Sequence, residues 1–185
     1  AVGMEKVYNN PAQEYRRVIV CRPNAQFDDD IGFLPGDEKE KIAPLMRPVI
    51  DNLEQILDSD EKKRYEDEDE LSDKIAEIFE RGIIQTEALN FIRGRSIAKT
   101  YLIIDEAQNM TPNQVKGIIT RAGQGTKIIL LGDPQQIDRP FLDERTNGLS
   151  YAAKHMVDSP LCWQITLSAE ECERSSLAMD AIKRL

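Results

Sequence analysis

Two short acidic segments each follow an apolar run in the second half of the chain. Residues 101–109 read YLIIDEAQN, and residues 127–136 read KIILLGDPQQ. A carboxylate that leaves an apolar strand is well placed to hold Mg²⁺ through water, because magnesium keeps much of its hydration shell. We assign that task to Asp105. Successive side chains at a strand end point in different directions, so Glu106 can face an attacking water as a base or an orienting group.

The two segments together indicate one ligand site. In parallel sheets ligands bind beyond the carboxyl ends of the strands, and Asp105, Glu106, Asp133 and Gln136 fall there. Nucleotide-driven motors place a magnesium-binding carboxylate beside a phosphate sensor in this way. Alternatively, the two acids only start a loop and help to cap the next helix, but that interpretation leaves GDPQQ unexplained. The chain contains no G-x-x-x-x-G-K-[ST] sequence, the loop that would cradle the phosphates.

Strands and helices alternate along the elements that must position these residues. Arg17 to Cys21 form a short β-branched run that predicts a strand. Apolar residues recur with a helical period over 42–57, where Pro44 and Pro48 predict a break into two helical pieces. Residues 111–114 form a capping box with Pro112 at the first helical position, and the helical face that follows ends at Gly123. We also predict helices at 71–79, 147–156 and 175–185. Strands are predicted at 83–84, 127–132 and 163–167, and a further buried strand ends at Ile103 and Ile104. Such alternation implies an α/β fold with a largely parallel sheet covered on both faces.

Composition and charge are those of one globular domain. The chain has 185 residues, 41% of them apolar and 31% charged, and its net charge is −9. Residues 58–73 alone carry −6 of that charge, and we interpret them as an acidic linker or a solvated helix face. No apolar run approaches the length of a membrane span. The 3 cysteines stand at unrelated spacings and the chain has 1 histidine, so we predict neither a disulfide framework nor a zinc site. From this cysteine usage we predict that the protein is cytoplasmic.

The same segments carry a resemblance to a known family. DEAQN followed by ILLGDPQQID resembles the Walker B and motif III pair of superfamily 1 helicases. The wider resemblance is to the PhoH family of phosphate-starvation-inducible ATPases, carried in order by IVCRP, DIGFLPGD, FIRGRS, DEAQNMTPNQ, GDPQQID and CERSSLA. ERTNGLSY and ECERSSLA look most like the branch in which an N-terminal PIN ribonuclease domain precedes the ATPase domain. The resemblance covers the chain from about Val18 to its end.

The resemblance implies a fold, an activity and partners. It implies a P-loop NTPase-like fold of the RecA and superfamily 1 type in which the helix before Arg17 follows the phosphate loop. We therefore expect this chain to begin just after that loop, without the first strand. The implied activity is ATP hydrolysis with Mg²⁺, coupled to unwinding or remodelling of single-stranded RNA or DNA. The implied assembly is a homo-oligomer such as a hexameric ring.

Four residues match positions with roles in the family. Asp105 resembles the Mg²⁺ carboxylate and Glu106 the catalytic glutamate, while Gln136 resembles the sensor that links the γ-phosphate to movement. Arg174 resembles the arginine that contacts the γ-phosphate, in the same chain or across a subunit boundary. A guanidinium placed there stabilises charge on the transferring phosphoryl group. The alternative is that Arg174 only caps or decorates a surface helix.

Three arginines are candidates for contact with nucleic acid. Arg22 precedes Pro23, and Arg93 and Arg95 flank a glycine that permits close approach. The planar fork of arginine donates two parallel hydrogen bonds to a phosphate. A solvated surface explains these residues nearly as well, and Arg93 or Arg95 has a neighbouring subunit as an alternative partner.

Three functions from different classes fit these observations. The first is an ATPase motor that moves nucleic-acid strands. The second is a nucleotide switch that hydrolyses ATP without moving strands. The third is a non-catalytic module for nucleic-acid binding or assembly, which would bind RNA with a steep salt dependence and show no nucleotide affinity.

Overall fold

The computed structural model describes residues 1–8, 14–23, 38–58, 68–89, 92, 97–168, 177, 180 and 184. Contacts divide the chain into two compact units, Ala1–Ala152 and Ala153–Leu185. Asp105, Glu106, Asp133 and Gln136 all belong to the first unit.

Helices and strands alternate along the described residues, as the sequence predicts. The strands are β1 Arg17–Cys21, β2 Ile84–Glu87, β3 Thr100–Ile104 and β4 Lys127–Leu130. The helices are α1 Val2–Tyr8, α2 Glu38–Asp58, α3 Glu68–Glu80, α4 Pro112–Ile119 and α5 Gly148–Met156.

The four strands form one parallel sheet in the order β2-β1-β3-β4. Val20 on β1 lies beside Ile103 on β3, and Ile103 lies beside Ile129 on β4. Because all strands run in one direction, their carboxyl ends meet at the same edge of the sheet. The sequence-based prediction of a parallel α/β sheet is confirmed.

The core lies on both faces of this sheet, because alternate residues of a strand face opposite sides. Val18 and Tyr101 pack on one face with residues of α1, α2 and α3. Ile19 and Leu102 pack on the other face with residues of α4 and α5. The helices therefore form a layer on each side of the sheet and leave its carboxyl edge for the loops.

The predicted capping box at the start of α4 is confirmed. The Thr111 hydroxyl accepts a hydrogen bond from the Gln114 backbone N–H at 3.2 Å. In return the Gln114 side chain accepts one from the Thr111 N–H at 2.7 Å. Pro112 occupies the first turn, where no intrahelical partner is lost. These contacts begin α4 directly after the loop that carries Asp105 and Glu106.

The predicted break in α2 is wrong, because the helix continues through Pro44 and Pro48. Each proline removes one backbone hydrogen bond. On the same helix Leu53 is buried, and Val49 and Leu57 pack against the core cluster. Full burial of an aliphatic side chain contributes about 1.5–3 kcal/mol, so packing offsets the local cost of the prolines.

The predicted strand at 163–167 is also wrong, since residues 162–168 form neither helix nor strand. Apolar alternation shows that a segment suits a strand, but a strand forms only when its backbone groups pair with a neighbour. The predicted helix at 175–185 falls largely outside the described residues.

The acidic segment spans the end of α2 and the start of α3. Asp58 ends α2, residues 68–73 belong to α3, and Asp69 and Asp73 are exposed there. The residues between the two helices lie outside the described part of the chain.

None of the described helices combines the length and the apolar composition that a membrane span requires.

Candidate functional site

Two neighbouring loops at the carboxyl edge of the sheet carry four of the predicted site residues, Asp105, Glu106, Asp133 and Gln136. We refer to residues 105–110 as the β3 loop and to residues 131–138 as the β4 loop. Backbone hydrogen bonds connect them, from the Leu131 N–H to the Ile104 oxygen and from the Ala107 N–H to the Leu131 oxygen, both at 2.8 Å. The Asp105 N–H donates to the Cys21 oxygen at 2.9 Å, which also fixes the β3 loop to the end of β1. The structure thus brings the two acidic segments together.

Glu106 has an unusual backbone conformation. Its φ of 55° and ψ of 38° lie in the left-handed region, which is uncommon for a residue with a Cβ. Such a conformation costs roughly 1–2 kcal/mol and persists where the surroundings determine it. It turns the chain out of β3 into the short 3₁₀ turn at Ala107–Asn109. Asp105 and Glu106 are therefore separated by a sharp turn, as a division of tasks between them requires.

The Glu106 carboxylate is held at both oxygens. Its Oε1 accepts a hydrogen bond from Arg22 Nη2 at 2.7 Å, and its Oε2 accepts one from Gln108 Nε2 at 2.6 Å. An ionised carboxylate has about four acceptor positions, so each oxygen can still accept a hydrogen bond from water. The side chain is 32% exposed, and solvent therefore reaches it.

Arg22 faces the acidic pair. Beyond its bond to Glu106, Arg22 Nε lies 3.9 Å from Oδ2 of Asp105, longer than a hydrogen bond. The Asp105 side chain is 46% exposed. A shallow recess that Thr86 and Glu87 also line opens beside Arg22 and Asp105. The predicted contact of Arg22 with nucleic acid stays a prediction, and the structure adds a partner that the sequence did not reveal.

Gln108 connects the two loops through its side chain. Gln108 is fully buried. Besides Glu106, its Nε2 donates to the backbone oxygen of Gln136 at 2.8 Å, and its Oε1 accepts from the Asp133 N–H at 3.2 Å. Glu106 and Gln136, which the sequence places 30 positions apart, are thereby linked through one amide group.

The β4 loop has its own local bonds. The two oxygens of Asp133 accept hydrogen bonds from the Gln135 N–H at 2.9 Å and from Gln136 Nε2 at 2.7 Å. Asp133 therefore orients the side chain of Gln136. Since Gln136 is exposed, this pair faces solvent.

Gly132 permits the close approach of the two loops. A Cβ built at this position would collide with Gln108 Oε1 and would lie 3.1 Å from the Ala107 nitrogen. The glycine in GDPQQ is thus required by the neighbouring β3 loop, because a larger residue would displace Gln108.

Asn109 forms a second bridge between the loops. Its Oδ1 accepts from the Asp138 N–H at 2.9 Å, and its Nδ2 donates to Asp138 Oδ2 at 3.3 Å. The bridges through Gln108 and Asn109 are residues that the sequence-based reasoning missed. A signal was present, because two amides follow the two acids after a single alanine in a segment that is otherwise apolar.

A turn at 143–147 supports the β3 loop from behind. Asp143 accepts hydrogen bonds from the backbone N–H groups of Arg145 and Thr146, and these bonds hold the pKa of its carboxyl below the ordinary value. The turn leads into α5, where the Gly148 N–H donates to the Met110 oxygen at 2.6 Å. The end of the β3 loop is thus bonded to the start of α5.

The remaining predicted site residues, Arg93, Arg95 and Arg174, lie outside the described part of the chain.

The donor set fits magnesium. The described residues contain no group of three or more His, Cys, Asp or Glu side chains arranged to hold a metal ion. Magnesium does not need such a group, because it is usually held by one or two carboxylates together with waters and substrate phosphates. Asp105 has no direct hydrogen bond to Arg22 and is half-exposed, so its carboxylate can serve as that ligand.

Comparison with known proteins gives a consistent match. A family model described as "PhoH-like protein" matches residues 2–185. The chain is 45% identical over 164 residues to Protein PhoH2 of Bacillus subtilis, and the aligned region covers 89% of this chain and 35% of that protein. It is 35% identical over 161 residues to Protein PhoH of Escherichia coli, and here the aligned region covers 87% of this chain and 42% of that protein. The chain therefore spans between a third and a half of the length of these relatives.

Proposed function

Because the chain belongs to the PhoH-like protein family, we propose that it forms part of a domain that hydrolyses ATP at the carboxyl edge of the β1–β3–β4 sheet. The observation that carries this proposal is the connection of Glu106 to Gln136 through Gln108 at the ends of adjacent parallel strands. This is where α/β sheets bind ligands. The chain spans only part of its relatives, so the activity is a property to be tested in the full-length protein.

Asp105 is the proposed ligand of Mg²⁺, through water. An ion held there would supply positive charge to neutralise the phosphate oxygens of the nucleotide. The half-exposed Asp105 carboxylate leaves room for the hydration shell that this ion retains. Arg22 lies within 3.9 Å of the Asp105 carboxylate and 2.7 Å of the Glu106 carboxylate, so its positive charge limits the repulsion between the two.

Glu106 is the proposed base or orienting group for the attacking water. The water oxygen forms a bond to the γ-phosphorus while the bond from that phosphorus to the bridging oxygen of ADP breaks. The water proton passes to Glu106 or to a phosphate oxygen, and the products are ADP and inorganic phosphate. Because Arg22 and Gln108 each occupy one position on a Glu106 oxygen, the carboxylate is oriented before water arrives.

Gln136 is the proposed sensor of the γ-phosphate. Its exposed amide is held by Asp133, and its backbone oxygen is held by Gln108. A phosphate that draws the amide away from Asp133 would change the β4 loop, and loss of the phosphate would restore it. Arg174 completes the proposed site as a cation on the transferring phosphoryl group, in the same chain or from a neighbouring subunit.

The test of hydrolysis is Glu106→Gln in the full-length protein. The amide keeps the size of the side chain and removes its basicity, so turnover should fall by about 10² to 10⁴. Binding of a non-hydrolysable ATP analogue should stay within about threefold. Glu144→Gln is the matched control, since it removes the same charge from an exposed position outside the two loops. Undiminished turnover in Glu106→Gln would contradict the assignment.

We further propose that hydrolysis is coupled to movement along single-stranded RNA or DNA by a cytoplasmic homo-oligomer. The resemblance of DEAQN and GDPQQID to the Walker B and motif III pair of superfamily 1 helicases supports this finer proposal, in which Arg22, Arg93 and Arg95 are the backbone contacts. ATP turnover should rise on addition of single strands, and a labelled duplex should be separated. Turnover that ignores added strands, with no strand separation, would indicate a nucleotide switch. RNA binding without any nucleotide affinity would indicate a non-catalytic module.

A further inference from the structure

One buried amide group makes polar contacts with both loops of the site. Gln108 Nε2 donates to Glu106 Oε2 and to the Gln136 oxygen, and Gln108 Oε1 accepts from the Asp133 N–H. The residue is fully buried, so water does not replace these partners. An unsatisfied buried amide costs more free energy than a hydrogen bond contributes. Because loss of any one of the three contacts is therefore costly, each contact restrains the positions of the other two partners.

The partners determine the orientation of the amide group. Its nitrogen faces two acceptors, a carboxylate oxygen and a carbonyl oxygen, and its oxygen faces an N–H donor. Exchange of the two ends would place donor against donor and acceptor against acceptor. The amide therefore has one satisfied orientation, and that orientation depends on both loops being in place.

We infer that Gln108 is a positioning residue that makes the Glu106 carboxylate and the backbone of the β4 loop move as one body. This inference rests on the proposed function and adds to it a residue that carries a movement at Gln136 to Glu106. A change at the γ-phosphate sensor then alters the orientation of the group that holds the attacking water. Gln108 itself touches neither nucleotide nor water in this account.

The effect of such coupling on rate should be large. A misplacement of about 1 Å in reacting groups can lower a rate by about 10². Glu106 has a strained backbone, and among the described residues its side chain accepts hydrogen bonds from the buried Gln108 and from the part-exposed Arg22. Without Gln108, the Glu106 carboxylate keeps its bond to Arg22, which solvent can reach. The carboxylate can then rotate about the Glu106 side-chain bonds.

Gln108→Met is the variant that tests this inference. Methionine has nearly the length and volume of glutamine but has none of the three hydrogen bonds. Asn109→Leu is the matched control, because it removes the neighbouring buried amide bridge between the same two loops without touching Glu106 or Gln136. Both changes leave one backbone N–H of the β4 loop without its side-chain acceptor, so both should lower the melting temperature by similar amounts.

The two variants should differ in catalysis. In the full-length protein we expect Gln108→Met to lower kcat about 30-fold or more with KM for ATP within about threefold. We expect Asn109→Leu to leave kcat within about threefold of the unmodified protein. Equal kcat values in the two variants would overturn the inference, because damage to the loops in general would then explain the result.

Hydrogen exchange gives a measurement that does not depend on activity. Gln108→Met should speed exchange of the Asp133 amide, whereas Asn109→Leu should speed exchange of the Asp138 amide. Unchanged exchange at Asp133 in Gln108→Met would overturn the bridge itself. If the unmodified full-length protein hydrolyses no ATP, the proposed function fails, and exchange at the Asp133 amide alone decides whether Gln108 joins the loops.

Discussion

The β3 loop and the β4 loop carry the two halves of the site but are built differently. In the β3 loop all four residues from Ala107 to Met110 are buried, with exposed fractions from 0% to 3%. In the β4 loop Leu131 is 48% exposed, and Gly132, Gln135 and Gln136 are exposed as well. Residues 107–110 of the β3 loop are part of the core, whereas the β4 loop lies on its surface.

The difference indicates which half moves. The backbone N–H groups of Leu131, Asp133 and Asp138 in the β4 loop donate hydrogen bonds to β3 or its loop. The Gln136 oxygen accepts one from Gln108 of the β3 loop. The β3 loop is in turn fixed by β1, by the cap of α4 and by α5. A buried, multiply bonded segment opens rarely, whereas an exposed one opens at low cost. The β3 loop is therefore the frame that holds the backbone of Asp105 and Glu106, and the β4 loop, together with the Glu106 carboxylate that Gln108 joins to it, is the part that responds to a ligand.

The largest loss of stability should come from the frame. Gly148→Ala places a Cβ 2.6 Å from Val115 Cγ2 and 2.8 Å from the Met110 oxygen. Since both neighbours belong to buried residues, relief requires movement of the β3 loop or of α5. We expect a loss of about 1–3 kcal/mol, measured by denaturant unfolding. An unchanged denaturant concentration at the unfolding midpoint would show that the end of the β3 loop shifts at little cost, which would contradict the description of this loop as the rigid frame.

The same substitution in the responsive loop should damage function more than stability. In Gly132→Ala the new Cβ displaces the Gln108 amide, while the exposed β4 loop can shift outward. We expect a loss of about 1 kcal/mol, at the low end of the overpacking range, with a tenfold or greater drop in ATP turnover of the full-length protein. A loss of stability larger than that of Gly148→Ala would contradict the distinction between the two loops.

Removal of the α4 cap should have a moderate effect confined to the frame. Thr111→Ala removes the acceptor for the Gln114 N–H, and a lost cap typically costs about 1 kcal/mol. Thr111→Ser keeps the hydroxyl and should retain most of the stability. If both variants unfold at the same denaturant concentration, the cap does not support the β3 loop as described.

The smallest effect should come from acid at the turn behind the frame. The pKa of Asp143 is lowered chiefly by the backbone N–H groups of Arg145 and Thr146. A carboxyl whose pKa is lower in the folded protein adds stability above its unfolded pKa, and this stability is lost as pH falls through the folded pKa. An NMR titration should place Asp143 below a freely exposed aspartate, and Asp143→Asn should reduce the acid dependence of unfolding slightly. A midpoint at or above the ordinary aspartate value would contradict the turn geometry.

The sequence predicted the edge of the sheet better than the contacts made there. Apolar runs before Asp105 and Asp133 were enough to predict two strands followed by acidic loops, because strands of a parallel sheet that is covered on both faces contain such runs. The capping box at Thr111 was equally local, and it was confirmed. These features depend on residues within four positions of one another.

Features that depend on distant partners were not predicted. The bridge from Gln108 to Asp133 and Gln136 requires the register of β3 against β4, which no local pattern specifies. The continuity of α2 through Pro44 and Pro48 depends on packing of Leu53 into the core, a tertiary effect that overrides a local penalty. For residues 163–167 the alternation was present, but no pairing followed.

The central claim is that the two loops together bind one nucleotide and its metal ion. The most direct measurement is a crystal structure of the full-length protein with a non-hydrolysable ATP analogue and Mn²⁺ in place of Mg²⁺, with the ion located by its anomalous scattering. We predict a manganese peak beside the Asp105 carboxylate and a terminal phosphate that faces Glu106 and Gln136. A nucleotide and ion bound away from both loops, with the β3 and β4 loops unchanged, would contradict the account.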